Sequence, residues 1–236
     1  MKGRMGFEQL AGGTGSSIDF RSDLGLGSNE LSWRVRGSVR PLEHHVLRVY
    51  GSIPERYTGS KVLTRDLQTR TRLYQAGTEI ESVFETATLG AGYDLDLLAG
   101  ATFFGGFHGD MRYMTSQVSF APAPRRDLDE VISIHELVPC LGVHGELTSL
   151  FPFSRLGRAP GLGGFGRLTF SMTPNFVNYV DLNLGLSLRI QFAAGPILEV
   201  RGGYEHESFY HGEERISGKL LEYSRDGISF SLGAAF

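Results

Sequence analysis

From Val180 to Phe192 the even positions are apolar: Val180, Leu182, Leu184, Leu186, Leu188, Ile190 and Phe192. The odd positions hold Asp181, Asn183, Gly185, Ser187, Arg189 and Gln191. A period of two sends the two sets to opposite faces of a β-strand, whereas a helix would scatter both around its circumference. The turn residues Ala193, Ala194, Gly195 and Pro196 follow. Leu198, Val200, Gly202 and Tyr204 then alternate with Glu199, Arg201, Gly203 and Glu205, which predicts a hairpin. The C-terminal stretch repeats the pattern, with Ile228, Phe230, Leu232, Ala234 and Phe236 opposite Ser229, Ser231, Gly233 and Ala235. Weaker alternation over 31–40, 47–56, 87–95, 99–108 and 137–147 predicts further strands, and a glycine-rich strand is expected to end near Met172.

Short connections fall near 41–44, 94–96, 152–154 and 193–196, and longer polar ones near 12–29, 58–77, 115–131, 173–178 and 211–218. Short and long alternate along the chain. An antiparallel up-and-down β-barrel of about ten strands, with tight turns at one end and loops at the other, satisfies that order. Eight and twelve strands also fit, the first strand falls anywhere between Arg4 and Leu26, and both termini are expected at the tight-turn end. The whole chain, 1–236, reads as a single domain, since all-β barrels of this length are normally one.

Period two does not say which face is wet. The chain has 236 residues, 41% of them hydrophobic and 21% charged, yet its apolar runs are far too short for a membrane-spanning helix, which needs about 20 residues. The net charge of -3 excludes nucleic acid as a principal partner. The lone Cys140 excludes an internal disulfide and a multi-thiolate metal site. Only Lys2, Lys61 and Lys219 are lysines among the 23 basic residues, so the cationic chemistry is arginine's. Its planar fork suits confined ion-pair networks, although GC-rich coding produces the same bias.

Three features turn the apolar face towards lipid, making this a transmembrane barrel; a soluble lipocalin-like barrel is the competing reading. Some ten strands with four to seven apolar residues each would overfill a closed interior of this size. The opposite face is rich in Gly, Ser and Thr with charges among them; Arg34, Arg36, Arg48, Glu146, Arg189, Glu199 and Arg201 are the candidates for ion pairs in the lumen. Aromatic residues gather near strand ends, among them Phe170, Phe176, Tyr179, Phe192, Tyr204 and Phe209, where membrane interfaces favour them. A strand such as Val180–Phe192, about 40 Å long and tilted by about 40°, crosses an apolar band of about 25 Å.

The last ten residues, Gly227 to Phe236, resemble the C-terminal signature of bacterial outer-membrane β-barrels, and the chain as a whole resembles the small OmpA, OmpX and OmpW type. The resemblance implies residence in the outer membrane of a Gram-negative bacterium. It also implies contact with outer-membrane lipid and lipopolysaccharide, and recognition by the barrel assembly machinery through Ile228, Phe230, Leu232 and Phe236. Met1 to Gly6 carry no secretory apolar core, so an exported protein would be read here in its mature form.

The chemistry-bearing residues are sparse. His108, Asp110, Arg112 and Ser116 share one strand face, but neighbours on that face are about 7 Å apart, too far for a hydrolytic relay. His144 and Glu146 share a face with Cys140, and His206 lies between Glu205 and Glu207, without a recognised metal-ligand spacing. Gly161, Gly163, Gly164 and Gly166 imitate a nucleotide loop but lack its strand-to-helix context. The expectation is a non-enzymatic barrel without cofactor, metal or catalytic residues, with a structural, partner-anchoring or envelope-interaction role that can include another envelope protein. A narrow channel for small solutes is one alternative; a lipid-modifying hydrolase or acyltransferase using His108, Ser116 or His144 is the other.

Overall fold

The computed structural model describes residues 2–7, 18–27, 33–69, 72–100, 103–123, 130–152, 161–172, 177–191, 197–212 and 219–235. These form fourteen strands: β1 (Lys2–Phe7), β2 (Ile18–Asp19), β3 (Arg34–Leu42), β4 (His45–Ser52), β5 (Glu55–Val62), β6 (Leu67–Gln68), β7 (Leu73–Tyr74), β8 (Glu79–Ala99), β9 (Phe103–Pro122), β10 (Glu130–Pro152), β11 (Gly161–Met172), β12 (Val177–Gln191), β13 (Ile197–Gly212) and β14 (Lys219–Ala235). No helix among them is long and apolar enough to cross a membrane. Twelve strands make one curled antiparallel sheet in the order β2-β1-β14-β13-β12-β11-β10-β9-β8-β4-β3, with β5 also on β8; β6 and β7 form a separate hairpin. β4 and β5 share one edge of β8, at Gly51↔Leu89 and Glu55↔Thr86. Pro54, which has no N–H to donate, falls at the break between them.

The all-β antiparallel expectation holds, while the closed ten-strand cylinder needs correcting. Among the described residues β3 is paired only with β4, and the 225–235 stretch of β14 only with β13. The alternating order makes β3 and β14 run in the same direction, so antiparallel closure needs an oppositely running strand between them. β1 has that direction but pairs with β14 only over Lys219–Ser224. β1 therefore lines only the loop-end part of β14, which continues to the turn end, where Ala235 pairs with Ile197.

The strands also run further than the alternation suggests. β8 begins at Glu79 and β9 ends at Pro122, well into segments read as loops. The cause is a change of polarity along each wall. Below Thr86 and Ser116, towards the turn end, the outward residues are apolar: Leu89, Tyr93, Met111, Tyr113, Leu137 and Leu141 are all exposed. The inward residues at that height include buried Arg48, Asp94, Asp110, Arg112 and Asp181. Above that level, towards the loop end, the arrangement is the ordinary one. Glu81, Gln117, His135 and Glu222 face solvent, while Ile80, Phe84, Val118 and Phe120 are buried.

The loop-end core is aromatic. Phe84 on β8 has its ring centre 5.1 Å from Phe20, 6.0 Å from Tyr57 and 5.7 Å from Tyr223, and Phe209 lies 5.3 Å from Tyr223. Tyr179 and Phe209, expected at a membrane interface, are buried instead, because they stand on the inward parity of β12 and β13. Phe170 and Tyr204 are exposed, whereas Phe176 and Phe192 lie outside the described residues. Segment 18–27 fills the seam between β1 and β5 at this end: Ile18 pairs with Met5, and the Gly27 N–H donates to the Thr58 carbonyl at 3.4 Å. Its buried Phe20, Leu24 and Leu26 belong to the aromatic core. Arg65, in the connection after β5, donates to Asp23 of this segment at 2.6 Å, a bond that raises the guanidinium above its ordinary value.

Candidate functional site: the ionic interior

Beneath the aromatic core the curl brings inward-facing charges from distant strands into a ladder of ion pairs. At the top, Arg225 of β14 joins Glu55 of β5 and Glu207 of β13, and Arg34 of β3 joins Glu205 and Glu207. In the middle, the Asp110 carboxylate is fully enclosed and takes Arg48 at 2.6 Å and Arg112 at 3.2 Å. Arg112 also reaches Asp181 at 3.0 Å and lies over the Tyr179 ring, 4.6 Å from its centre. Asp94 takes Arg48 at 2.8 Å and Arg167 at 3.0 Å. At the turn end, Asp96 holds Arg40 at 2.8 Å and His144 at 2.7 Å, while Arg189 and Arg201 both bridge Glu146 and Glu199.

Of the seven charged residues picked from alternation, six enter this ladder. Arg189 and Glu199 face each other directly across the β12–β13 hairpin, so their pairing was within reach of the sequence. Arg34 finds its partners on β13, and Arg48 reaches Asp110 on β9, two strands away, as well as Asp94 on the neighbouring β8, which alternation cannot supply. Arg36 lines the same narrow cavity as Arg34, Arg48 and Arg167, but no carboxylate among the described residues lies within ion-pair distance of it. The residues sequence reasoning missed are Arg40, Glu55, Asp94, Asp96, Asp181, Glu205, Glu207, Arg167 and Arg225. All but Glu55 were visible as charges of inward parity, although the partner is chosen by the curl of the sheet; after the break at Pro54 it is Glu55 that faces inward, where alternation put Arg56.

Two glycines make the ladder possible by close approach. A Cβ on Gly92 would strike the Asp110 carboxylate and sit 2.9 Å from Nη2 of Arg48, where the two groups pair. A Cβ on Gly142 would come within 2.5 Å of Cε1 and Nε2 of His108, whose ring passes over that strand. His108 thereby reaches β11, with Nε2 3.0 Å from Oγ1 of Thr169.

The proposed relay from His108 to Ser116 is not formed. Ser116 lies eight residues along β9, about 26 Å away, and its Oγ is 3.4 Å from Oγ1 of Thr86. His206 stays on the outer side, bonded to Asp226 at 2.7 Å. Cys140 is buried, its Sγ 3.6 Å from the Val138 carbonyl, and far from a reactive setting. Residues that could hold a metal are Asp94, His108 and His144, which offer one ligand atom each, all within 4.8 Å of one another. Their numbers in the chain hide this. Asp94 and His108 are direct partners across β8 and β9, and His144 joins them because His108 faces Gly142, two residues before it on β10.

Of the C-terminal group, Ile228, Phe230 and Leu232 point outward and are the most exposed large apolar side chains of the sheet, Phe230 at 82%; Phe236 lies outside the described residues. No family model, curated protein or solved structure matches this chain.

Proposed function

We propose that this chain is an integral outer-membrane β-barrel protein of a Gram-negative bacterium, with a plugged interior and an anchoring role. Its belt sits in lipid and its loop-end half stands beyond the bilayer, where it meets lipopolysaccharide or another envelope component. The observation that carries the reading is the polarity reversal of the walls. At one height the outer face is apolar while the inner face is ionic, and in water that arrangement would expose the wrong surface on both sides. Hydrocarbon outside and paired charges inside satisfy both faces, provided that the backbone groups are paired around the wall.

The belt has the height that lipid demands. On β12 it runs from Val180 to Ile190, about 33 Å along the strand and about 25 Å along the normal at a tilt of about 40°. Tyr113, stacked on His135, stands at its loop-end border, where amphipathic rings prefer to lie. The aromatic core and the ion-pair ladder lie in series along the interior, which favours an anchor over a channel. The outward Ile228, Phe230 and Leu232 are presented as the barrel assembly machinery would read them.

Fractionation and gel mobility test this. The chain is expected in the detergent-extracted envelope, migrating faster unboiled than boiled, without steady conductance in planar bilayers, and failing to assemble when Phe236 is deleted. Recovery of the folded chain from a detergent-free supernatant would refute the membrane reading. Steady conductance would transfer the function to the narrow channel.

A further inference from the structure

Two histidines in the ionic interior are each bonded through Nε2 and leave Nδ1 without a partner. Nε2 of His144 lies 2.7 Å from Oδ1 of Asp96, and Nε2 of His108 lies 3.0 Å from Oγ1 of Thr169. A carboxylate accepts only, so Nε2 of His144 carries a proton; the Thr169 hydroxyl can accept from Nε2 of His108 or donate to it, and the accepting arrangement is the one that frees Nδ1 of His108. With the proton on Nε2, Nδ1 of each neutral ring is a bare lone pair. Both Nδ1 atoms are buried, and neither has a hydrogen-bond partner. Buried acceptors without a donor are costly, and a matched pair of them calls for something that accepts lone pairs. The ring centres are 6.0 Å apart, and the Asp94 carboxylate completes the group.

Asp94 has a lone pair to give. Its Oδ1 takes both Arg48 and Arg167, whereas Oδ2 has only a 3.4 Å contact with Arg167. The distal hydrogen bonds of the two rings are those that orient metal-bound histidines, with a carboxylate or hydroxyl fixing tautomer and direction. We propose that Asp94, His108 and His144 form a binding site for a divalent first-row transition metal, zinc being the reference ion. The ligands are two imidazole nitrogens and one carboxylate oxygen, with water at the remaining position. Two nitrogens and one oxygen in an open set suit zinc or cobalt, and a lone carboxylate among imidazoles disfavours calcium and magnesium. The guanidinium groups of Arg48 and Arg167 oppose the ion, while Asp96 behind His144 and Asp110 beside Arg48 favour it. Bound metal would tie β8, β9 and β10 together on the inner face. The site does not depend on the membrane reading, because the same three strands meet in a micelle or in water.

The test is titration of the folded full chain with Zn2+ against a chromophoric chelator, and with Co2+ by visible absorption, in detergent or, if the chain proves soluble, in buffer. One ion per chain is expected. His108→Ala and His144→Ala should abolish binding in protein that still shows the folded gel band, and Asp96→Asn should weaken it about 10- to 100-fold. Absence of binding by the wild-type chain overturns the proposal, as does binding unchanged in both histidine variants, which would place the metal on exposed histidines such as His135. Should the variants fail to fold, imidazole nitrogen NMR of the wild type decides. Zinc must shift the Nδ1 signals of two buried histidines, and unmoved signals overturn the site.

Discussion

Leu186 offers the most direct test of what surrounds the belt. It sits on the outer face of β12 at 57% exposure, between Leu184 and Leu188, and its inward neighbours Gly185 and Ser187 belong to the other face. Six residues separate it from Val180 and four from Ile190, so at 3.3 Å per residue and about 40° tilt it lies about 10 Å inside the nearer border. Arginine near the midplane of a lipid-embedded barrel costs about 2–4 kcal/mol, and Leu186→Arg should lower stability by that amount. Gln117, exposed on the outer face of β9 in the loop-end half, is the control: Gln117→Arg should stay within about 0.5 kcal/mol of wild type. Both are measured by urea titration of protein folded into phosphatidylcholine vesicles. Far-UV circular dichroism and the fluorescence of Trp33, the single tryptophan, give two independent readouts. A cost for Leu186→Arg no larger than for Gln117→Arg would mean that the side chain meets water, and the lipid reading would fall.

The interior makes its own demands. Asp110→Leu strips Arg48 and Arg112 of a fully enclosed partner and should cost about 3–5 kcal/mol in the same titration, of which adding Arg48→Met should return at least about 1 kcal/mol. Simple additivity of the two would show that water screens the ladder. Phe84→Ala empties a wholly buried position that touches Phe20, Tyr57 and Tyr223, for an expected loss of about 3–5 kcal/mol; a loss below about 1 kcal/mol would mean that the aromatic core is loosely packed.

The interplay of chain and fold is clearest on β8 and β9. Between Ala87 and Leu95 the outward residues are apolar and the inward ones small or acidic, so alternation alone finds the strand. Between Glu79 and Thr86 the buried apolar residues are Ile80 and Phe84, of the opposite parity, while the outward positions hold Glu79, Glu81, Val83 and Glu85. A reading that seeks one continuous apolar face stops where the parity changes. The strand does not stop, because its backbone pairs through that point while the surroundings on both faces change.

The sequence by itself determined the all-β class, the apolar alternation of β12 and of the turn-end parts of β10, β13 and β14, the inward parity of most of the arginines and carboxylates, and the hairpin-mates Arg189 and Glu199. Each of these depends on a residue's immediate neighbours, and strand alternation is a local property. Only the tertiary structure decided that Arg34 meets Glu207, that Arg225 meets Glu55, that Asp94 joins His108 and His144, and that β3 and β14 run in the same direction. Those outcomes depend on register accumulated over several hairpins and on how far the sheet curls. A shift of one residue in any pairing would turn every side chain of a strand to the other face.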